Sequence, residues 1–147
     1  MKLVILDRDG TINADSDEFI KSPEEWTCAS LVFVDEVFVQ VVLLPNYQLT
    51  FGQLVTHLGD PDYLQIVPNS SHGSLCDVAL IWRQRGIRAA FNSGSNGSTE
   101  IRCTEVRSTL KVASALPVHQ IMYMLPDNIA LASIPEGARD YVWPGFN

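Results

Sequence analysis

LVFVDEVFVQVVLL, residues 31–44, is the stretch that decides the fold. It is rich in β-branched and aromatic residues, which favour extended strands. Asp35 and Glu36 interrupt it with two adjacent charges, so the pattern predicts two strands joined by a tight turn, or one long bulged strand. Pro45-Asn46 ends the extended segment.

The next segment predicts a short helix. Thr50 is suited to be the N-cap of a helix over residues 51–58, in which Phe51, Leu54, Val55 and Leu58 share one face. Gly59 is the expected stop signal, with Pro61 just beyond it. Further strands are predicted at Tyr63–Val67, Leu75–Trp82, Ile87–Phe91, Glu100–Val106 and Val118–Leu125, with a turn at Arg83–Gly86. Short neighbouring strands with tight turns indicate an α+β domain, mainly an antiparallel sheet with one short helix on one face.

Composition limits the kind of protein. The 147 residues correspond to one domain, or one domain with an appendage, and 46% hydrophobic residues are typical of a globular chain. The net charge of −7 argues against nucleic acid or an anionic membrane as partner. No apolar run approaches the roughly 20 residues of a membrane span. The run Leu3–Leu6 is too short for a secretory signal, so the expected location is the cytoplasm.

Cysteines and histidines give few candidates for chemistry. Cys28, Cys76 and Cys103 are an odd number without CxxC spacing, so we expect reduced core or edge residues. Cys76 near His72 could be a thiol nucleophile, but its apolar strand favours a buried, inert thiol. The three histidines, His57, His72 and His119, lack partners at metal-ligand spacing, and no metal is expected from them.

Charge is unevenly distributed along the chain. The first 26 residues hold ten of its 27 charged side chains, whereas residues 27–59 hold only Asp35 and Glu36. Such a shift often marks a boundary between units of different origin. The sequence therefore predicts an N-terminal segment, residues 1–26, and a single α+β domain, residues 27–147.

The N-terminal segment contains a pattern suited to phosphoryl transfer. An apolar run, Lys2–Leu6, predicts a buried parallel strand with carboxylates at its C-terminal end, where α/β sheets bind ligands. There Asp7 could attack a phosphorus atom, and Asp9 could protonate the leaving group and later activate water. Both carboxylates would bind Mg²⁺, while Gly10 and Thr11 offer backbone approach, a hydroxyl and an N–H to the phosphate.

LDRDGTINADSDEFIKSPEEW, residues 6–26, resembles the opening of the haloacid-dehalogenase superfamily, and more narrowly the heptose-bisphosphate and histidinol phosphatases. The resemblance implies that Asp7 is the nucleophile and Asp9 the general acid/base of a Mg²⁺-dependent phosphatase. It also implies that the α+β domain is preceded by a strand-loop segment of phosphatase type.

Three further motifs of that family have no good counterpart in the chain. The Ser or Thr that should grip the phosphoryl group is replaced by Pro45, which has neither a hydroxyl nor an N–H. The charge-balancing lysine could only be Lys111, and the acidic pair Asp60 and Asp62 precedes it, which is the wrong order. The cysteines of the zinc loop found in many heptose phosphatases are missing as well. We therefore expect little catalysis, because phosphoryl transfer depends on positioning and charge stabilisation.

Residues 49–91 show a second resemblance. Leu49-Thr50-x4-Val55-x2-Leu58-Gly59-x-Pro61-Asp62 is similar to the helix–Gly-x-Pro–strand signature of small outer-membrane-assembly lipoproteins and the β-lactamase-inhibitor-like α+β fold. This resemblance implies a binding or scaffold module. The lipid-attached cysteine and a clear first helix of the usual pair are not found in the sequence.

Three hypotheses follow. The first is an α+β binding module of unknown function that retains a phosphatase N-terminal remnant and needs no cofactor, with a protein or small-molecule partner that is not specified. The second is a Mg²⁺-dependent sugar-phosphate phosphatase acting through an aspartyl-phosphate. The third is a protein-interaction module that uses its aromatic C-terminus, Tyr141–Asn147. Trp82, Trp143 and Phe146 could line a groove, although ordinary burial tendencies favour core packing.

Overall fold

A computed structural model of the protein describes residues 26–34, 37–45, 48–94, 99–124 and 137–146. The described strands are β1 (Trp26–Val34), β2 (Val37–Pro45), β3 (Tyr63–Pro68), β4 (Cys76–Trp82), β5 (Ile87–Phe91), β6 (Gln120–Met124) and β7 (Arg139–Val142). They form one sheet in the order β1-β2-β6-β5-β4-β3-β7, and each of these neighbouring pairs is antiparallel. Two helices, α1 (Phe51–Leu58) and α2 (Cys103–Thr109), accompany the sheet.

The stretch of residues 31–44 forms the predicted pair of strands. β1 and β2 pair with each other along their length, from Trp26 opposite Pro45 to Val34 opposite Val37. The antiparallel α+β class predicted from the sequence is confirmed. β1 begins at Trp26, earlier than the apolar run alone indicated.

Helix α1 begins and ends where the sequence predicted. The hydroxyl of Thr50 accepts a hydrogen bond from the Gln53 N–H at 3.3 Å, and the Gln53 side-chain oxygen accepts one from the Thr50 N–H at 2.9 Å. This reciprocal pair is a capping box. Gly59 ends the helix with a φ of 77°, a conformation that glycine adopts without a Cβ penalty. Its carbonyl accepts a hydrogen bond from the Trp82 indole N–H at 2.8 Å, which ties the helix end to β4.

Two predictions about the C-terminal half are wrong. The strand predicted at Glu100–Val106 is not formed, because its second half begins helix α2, in which Cys103 and Val106 are buried on one face three residues apart. The expectation of a single helix is therefore wrong too. Strand β7 was not predicted, since its sequence RDYV gains strand geometry only by pairing with β3.

The main core lies on one face of the sheet. Leu64, Leu80, Ala89 and Ile121 face one another across four neighbouring strands, because directly opposed residues of antiparallel strands point to the same side. Both helices contribute to this cluster, α1 through Phe51 and Leu54 and α2 through Cys103 and Val106. Both helices therefore pack on the same face.

The opposite face of the central strands is also shielded from solvent. Gln65, Ala79 and Ala90 occupy one row across β3, β4 and β5, and all three are buried. A buried glutamine needs hydrogen-bond partners, since an unsatisfied amide in an apolar environment is costly. Gln65 has such partners on β5 and β7.

Residues 1–25 of the N-terminal segment lie outside the described residues. The predicted strand Lys2–Leu6, and with it the phosphatase-type arrangement, therefore remains an expectation from the sequence. Among the residues that the structure does describe, α1 has eight residues and α2 seven, and neither they nor any other described helix is long and apolar enough to span a membrane.

Candidate functional site

The predicted catalytic residues fall in the part of the chain that is not described. Asp7 and Asp9, the candidate nucleophile and acid/base and also the candidate metal ligands, belong to residues 1–25. The same holds for the candidate phosphate-binding residues Gly10 and Thr11. Their geometry is untested, and they stay a prediction from the motif.

The residues considered as partners of that motif lie on separate elements. Pro45 is the last residue of β2, opposite Trp26 of β1. Lys111 is exposed just after helix α2. Asp62 precedes β3 and accepts a hydrogen bond from the Arg83 N–H at 2.6 Å, so its carboxylate fixes the turn between β4 and β5. Asp62 thus has a structural partner already.

A polar cluster that sequence reasoning missed lies at the end of the sheet where β4 begins and β5 ends. One carboxylate oxygen of Asp77 accepts from the Asn69 amide at 3.0 Å and from the Ser93 backbone N–H at 2.8 Å. Asn69 also donates to the Ser93 carbonyl at 3.1 Å. The Ser93 hydroxyl, in a residue only 2% exposed, accepts from the Ile101 N–H at 2.7 Å. These bonds join strand β4, the loop after β3 and the connection between β5 and α2 into one unit.

His119 lies beside this cluster. Its ring stacks on Phe91 with the centroids 4.9 Å apart, and its Nδ1 accepts a hydrogen bond from the Asn92 N–H at 3.1 Å. An accepting Nδ1 requires the neutral ring with its proton on Nε2. Burial lowers the pKa of His119, although the Asn92 backbone and the Asp77 charge act in the opposite direction.

Serine, histidine and aspartate in one neighbourhood are the residue types of a nucleophilic site, but their contacts here favour a structural role. In such a site the base must reach the nucleophile, and a third group must orient the base. Here the Ser93 hydroxyl and His119 Nδ1 each accept a backbone N–H, and Asp77 binds Asn69 and the Ser93 backbone. This arrangement stabilises the loops around β4 and β5.

A second set of polar side chains links three strands on the face of the sheet opposite the main core. The Arg88 Nε donates to the side-chain oxygen of Gln65 at 2.9 Å. The side-chain Nε2 of Gln65 donates in turn to the Asp140 carboxylate at 2.9 Å. Burial lowers the pKa of Arg88, opposed by the charges of Asp140 and Asp77. A guanidinium nevertheless stays protonated in proteins, so Gln65 joins a cation to a carboxylate. These two bonds satisfy the side-chain amide of the buried Gln65 with partners on β5 and β7.

The expectation of three reduced cysteines is wrong for two of them. Cys76 and Cys103 are joined by a disulfide, with 4.9 Å between their Cα atoms. The hypothesis of a buried thiol at Cys76, whether inert or nucleophilic with His72, is replaced by this bond. Their separation of 27 residues along the chain gives no pairing signal in the sequence. Cys76 is the first residue of β4 and Cys103 the first residue of α2, and the fold places these two residues side by side.

Two of the three histidines are exposed to solvent. His57 is exposed on α1 and His72 is exposed in a loop. Within the described ranges, no three His, Cys, Asp or Glu side chains form a group that could hold a metal ion. The described residues thus form an α+β domain whose polar clusters hold loops and strands together.

Comparisons with known proteins give one short match. A 26-residue N-terminal segment, 18% of the chain, is 73% identical to part of the D-glycero-beta-D-manno-heptose-1,7-bisphosphate 7-phosphatase of Bordetella bronchiseptica. It is 69% identical to the enzyme of that name from Neisseria meningitidis serogroup A and 73% identical to that of Pseudomonas putida. The match spans only 14–15% of the length of these relatives. It supports the phosphatase resemblance of the N-terminal segment.

The rest of the chain has no counterpart in these comparisons. No family model matches the chain, and no solved structure matches it. The resemblance of residues 49–91 to outer-membrane-assembly lipoproteins and the β-lactamase-inhibitor-like fold gains no support.

The lowered pKa of His119 predicts a pH dependence of stability. A histidine whose pKa is lower in the folded state favours folding above its unfolded pKa of about 6.5 and opposes it as the pH falls below that value. We expect the free energy of unfolding of the wild type to fall as the pH drops below about 6.5. His119→Asn retains an acceptor without titrating and should show a weaker fall, measured by urea unfolding across this range. An equal fall in both proteins would contradict this assignment.

Proposed function

We propose that the protein is an α+β binding module of unknown ligand whose N-terminal segment derives from a haloacid-dehalogenase phosphatase and no longer supports catalysis. The observation that carries this proposal is the strand direction. Every described pair of neighbouring strands is antiparallel, from β1 through to β7. The proposed boundary near residue 26 agrees with the length of the phosphatase match.

Strand direction matters because the catalytic and phosphate-binding side chains of an α/β phosphatase lie at the carboxyl ends of parallel strands. In an antiparallel sheet, neighbouring strands end at opposite edges, so successive strand ends cannot converge in that way. Lys111 lies just after helix α2 and not at a strand end. The Asp62 carboxylate accepts a hydrogen bond from the Arg83 N–H in the turn between β4 and β5. These positions support the view that the described residues between Trp26 and Phe146 do not complete the site begun by Asp7 and Asp9.

The alternative is a Mg²⁺-dependent sugar-phosphate phosphatase, of heptose-bisphosphate type, that acts through an aspartyl-phosphate. The observation that favours it is the identity of the N-terminal segment with heptose-bisphosphate phosphatases. Asp7 and Asp9 would then bind Mg²⁺, with Gly10 and Thr11 at the phosphate. The ion would offset phosphate charge during transfer.

Phosphate release discriminates between the two. We expect the wild-type chain and Asp7→Asn to release phosphate from a panel of sugar phosphates, with Mg²⁺, at the same background rate. Circular dichroism of both proteins would confirm that they are folded. Release by the wild type that is lost in Asp7→Asn would refute the proposal and establish the phosphatase.

The third hypothesis, a C-terminal interaction module, has less support. Three aromatic side chains of this segment pack against the main core: Tyr141, Trp143 and Phe146. The backbone N–H of Trp143 also donates a hydrogen bond to the backbone carbonyl of Asp62 at 3.2 Å. Trp82, which was considered as a groove residue, is 3% exposed. These contacts favour core packing for the aromatic residues. Partners therefore stay unspecified, and the exclusion of nucleic acid continues to rest on the charge of −7.

A further inference from the structure

The disulfide joins two elements at one end of the sheet. Cys76 is the first residue of β4, and Cys103 is the first residue of α2. Cys76 is 0% exposed and Cys103 is 9% exposed. Thiol–disulfide exchange requires access of a thiolate to one of the sulfurs, so this burial protects the bond in the folded protein.

The backbone around the disulfide keeps both cysteines in place. The Cys76 N–H donates to the Ile101 carbonyl at 2.8 Å, and the Cys103 N–H donates to the Ser74 carbonyl at 3.0 Å. Leu75 and Arg102, the residues that immediately precede the two cysteines, form an isolated antiparallel bridge. The two thiols would therefore lie side by side in a folded chain before they are oxidised.

Apart from the disulfide and the backbone contacts beside it, few interactions hold helix α2. Its seven residues are too few for a helix that is stable alone, and its N-cap, Arg102, provides no side-chain hydrogen bond. It ends at Leu110, whose φ of 53° is unfavourable for a residue with a Cβ. Only Cys103 and Val106 are buried within the helix. The covalent bond at its first residue is thus its main anchor.

We propose that Cys76–Cys103 is a permanent structural clamp and that this module folds and acts in an oxidising compartment. Structural disulfides persist in such compartments and are rare in the cytosol, so this proposal replaces the cytoplasmic location expected from the sequence. In the oxidation the two thiols lose two protons and two electrons and form the S–S bond. A disulfide-bearing thiol oxidant accepts them and is reduced to two thiols.

The first test uses the intact chain, refolded with a mixture of reduced and oxidised glutathione. Peptide mapping without reductant should recover the Cys76 and Cys103 peptides as one cross-linked species. Alkylation after denaturation should label Cys28 alone. Three free thiols in the folded protein, or a bond that includes Cys28, would overturn the proposal, and this result does not depend on any variant folding.

The second test measures how much the disulfide contributes to the stability of helix α2 and of the whole domain. In Cys76→Ala/Cys103→Ala, hydrogen exchange of the α2 amides should accelerate strongly, while the amides of α1 and β5 change less. The folding equilibrium constant should fall roughly 100-fold, as is usual for loss of a native disulfide. Cys28→Ala is the matched control and should retain both the exchange pattern and the stability. Equal α2 protection with and without the disulfide would overturn the clamp.

The compartment is tested by producing the same chain in the bacterial cytoplasm and, with an added export signal, in the periplasm. The periplasmic protein should hold the bond and unfold at the higher temperature. A fully reduced cytoplasmic protein with the same unfolding temperature would overturn the requirement for oxidation. Neither result bears on phosphate release, so failure here is distinguishable from failure of the proposed function.

Discussion

Phe51→Ala is expected to lower the free energy of unfolding by about 3–5 kcal/mol. Phe51 begins helix α1 and is 0% exposed, in the cluster that also holds the facing residues of the sheet. Truncation removes the ring and leaves a cavity that the surrounding strands cannot fill without moving. Urea unfolding followed by circular dichroism measures the loss.

The matched control for Phe51→Ala is a large apolar residue at the surface. Val142 is 78% exposed, so Val142→Ala should change the free energy of unfolding by less than about 0.5 kcal/mol. A loss below about 1 kcal/mol for Phe51→Ala would mean that α1 does not pack on the sheet as described.

Deleting residues 141–147 is expected to cost about 3–6 kcal/mol, since it removes three partly buried aromatic side chains and half of β7. A typical domain is stable by only about 5–15 kcal/mol, so the shortened chain should lose much of its cooperative unfolding transition. Trp143 and Phe146 contact each other edge to face, with ring centroids 5.1 Å apart, and both pack on the main core. Thermal unfolding by circular dichroism measures the effect.

The control for this deletion is Trp143→Ala/Phe146→Ala in the full-length chain, which keeps the backbone pairing of β7 with β3. It should lose most of the same stability. A deletion that leaves stability intact but abolishes capture of a partner would instead support the C-terminal interaction hypothesis.

Much of the fold was predictable because its signals are local. The β-branched run of residues 31–44, the capping residue Thr50 and the stop at Gly59 act over a few neighbouring residues. β5 was predicted with the same ends that it has in the structure, from an apolar run bounded by the Arg83–Gly86 turn. The left-handed conformation of Gly86, with φ of 68°, is typical of such turn chemistry.

The missed features depend on contacts between distant residues. Helix α2 has weak local signals, and it forms where Cys103 meets Cys76. β7 is a strand because its backbone pairs with the edge of β3. The disulfide, likewise, required the fold to be known, because three cysteines allow three pairings and composition chooses none.

The two candidate sites differ in the same respect, because one has a local sequence signal and the other depends on contacts between distant residues. The motif around Asp7 was recognisable because phosphatase chemistry requires its residues within a short stretch, and the curated relatives match that stretch. The cluster of Asp77, Ser93 and His119 joins residues up to 42 positions apart. Only tertiary structure brings them together, and their hydrogen bonds then indicate a structural role.

The central claim, that the N-terminal motif no longer forms a working site, is tested most directly by trapping the first chemical step. The intact chain is mixed with a sugar bisphosphate or acetyl phosphate in Mg²⁺, quenched in acid and weighed by mass spectrometry, beside Asp7→Asn. The account predicts that both proteins keep their unmodified mass. A wild-type chain that gains the mass of one phosphoryl group, while Asp7→Asn does not, would contradict it.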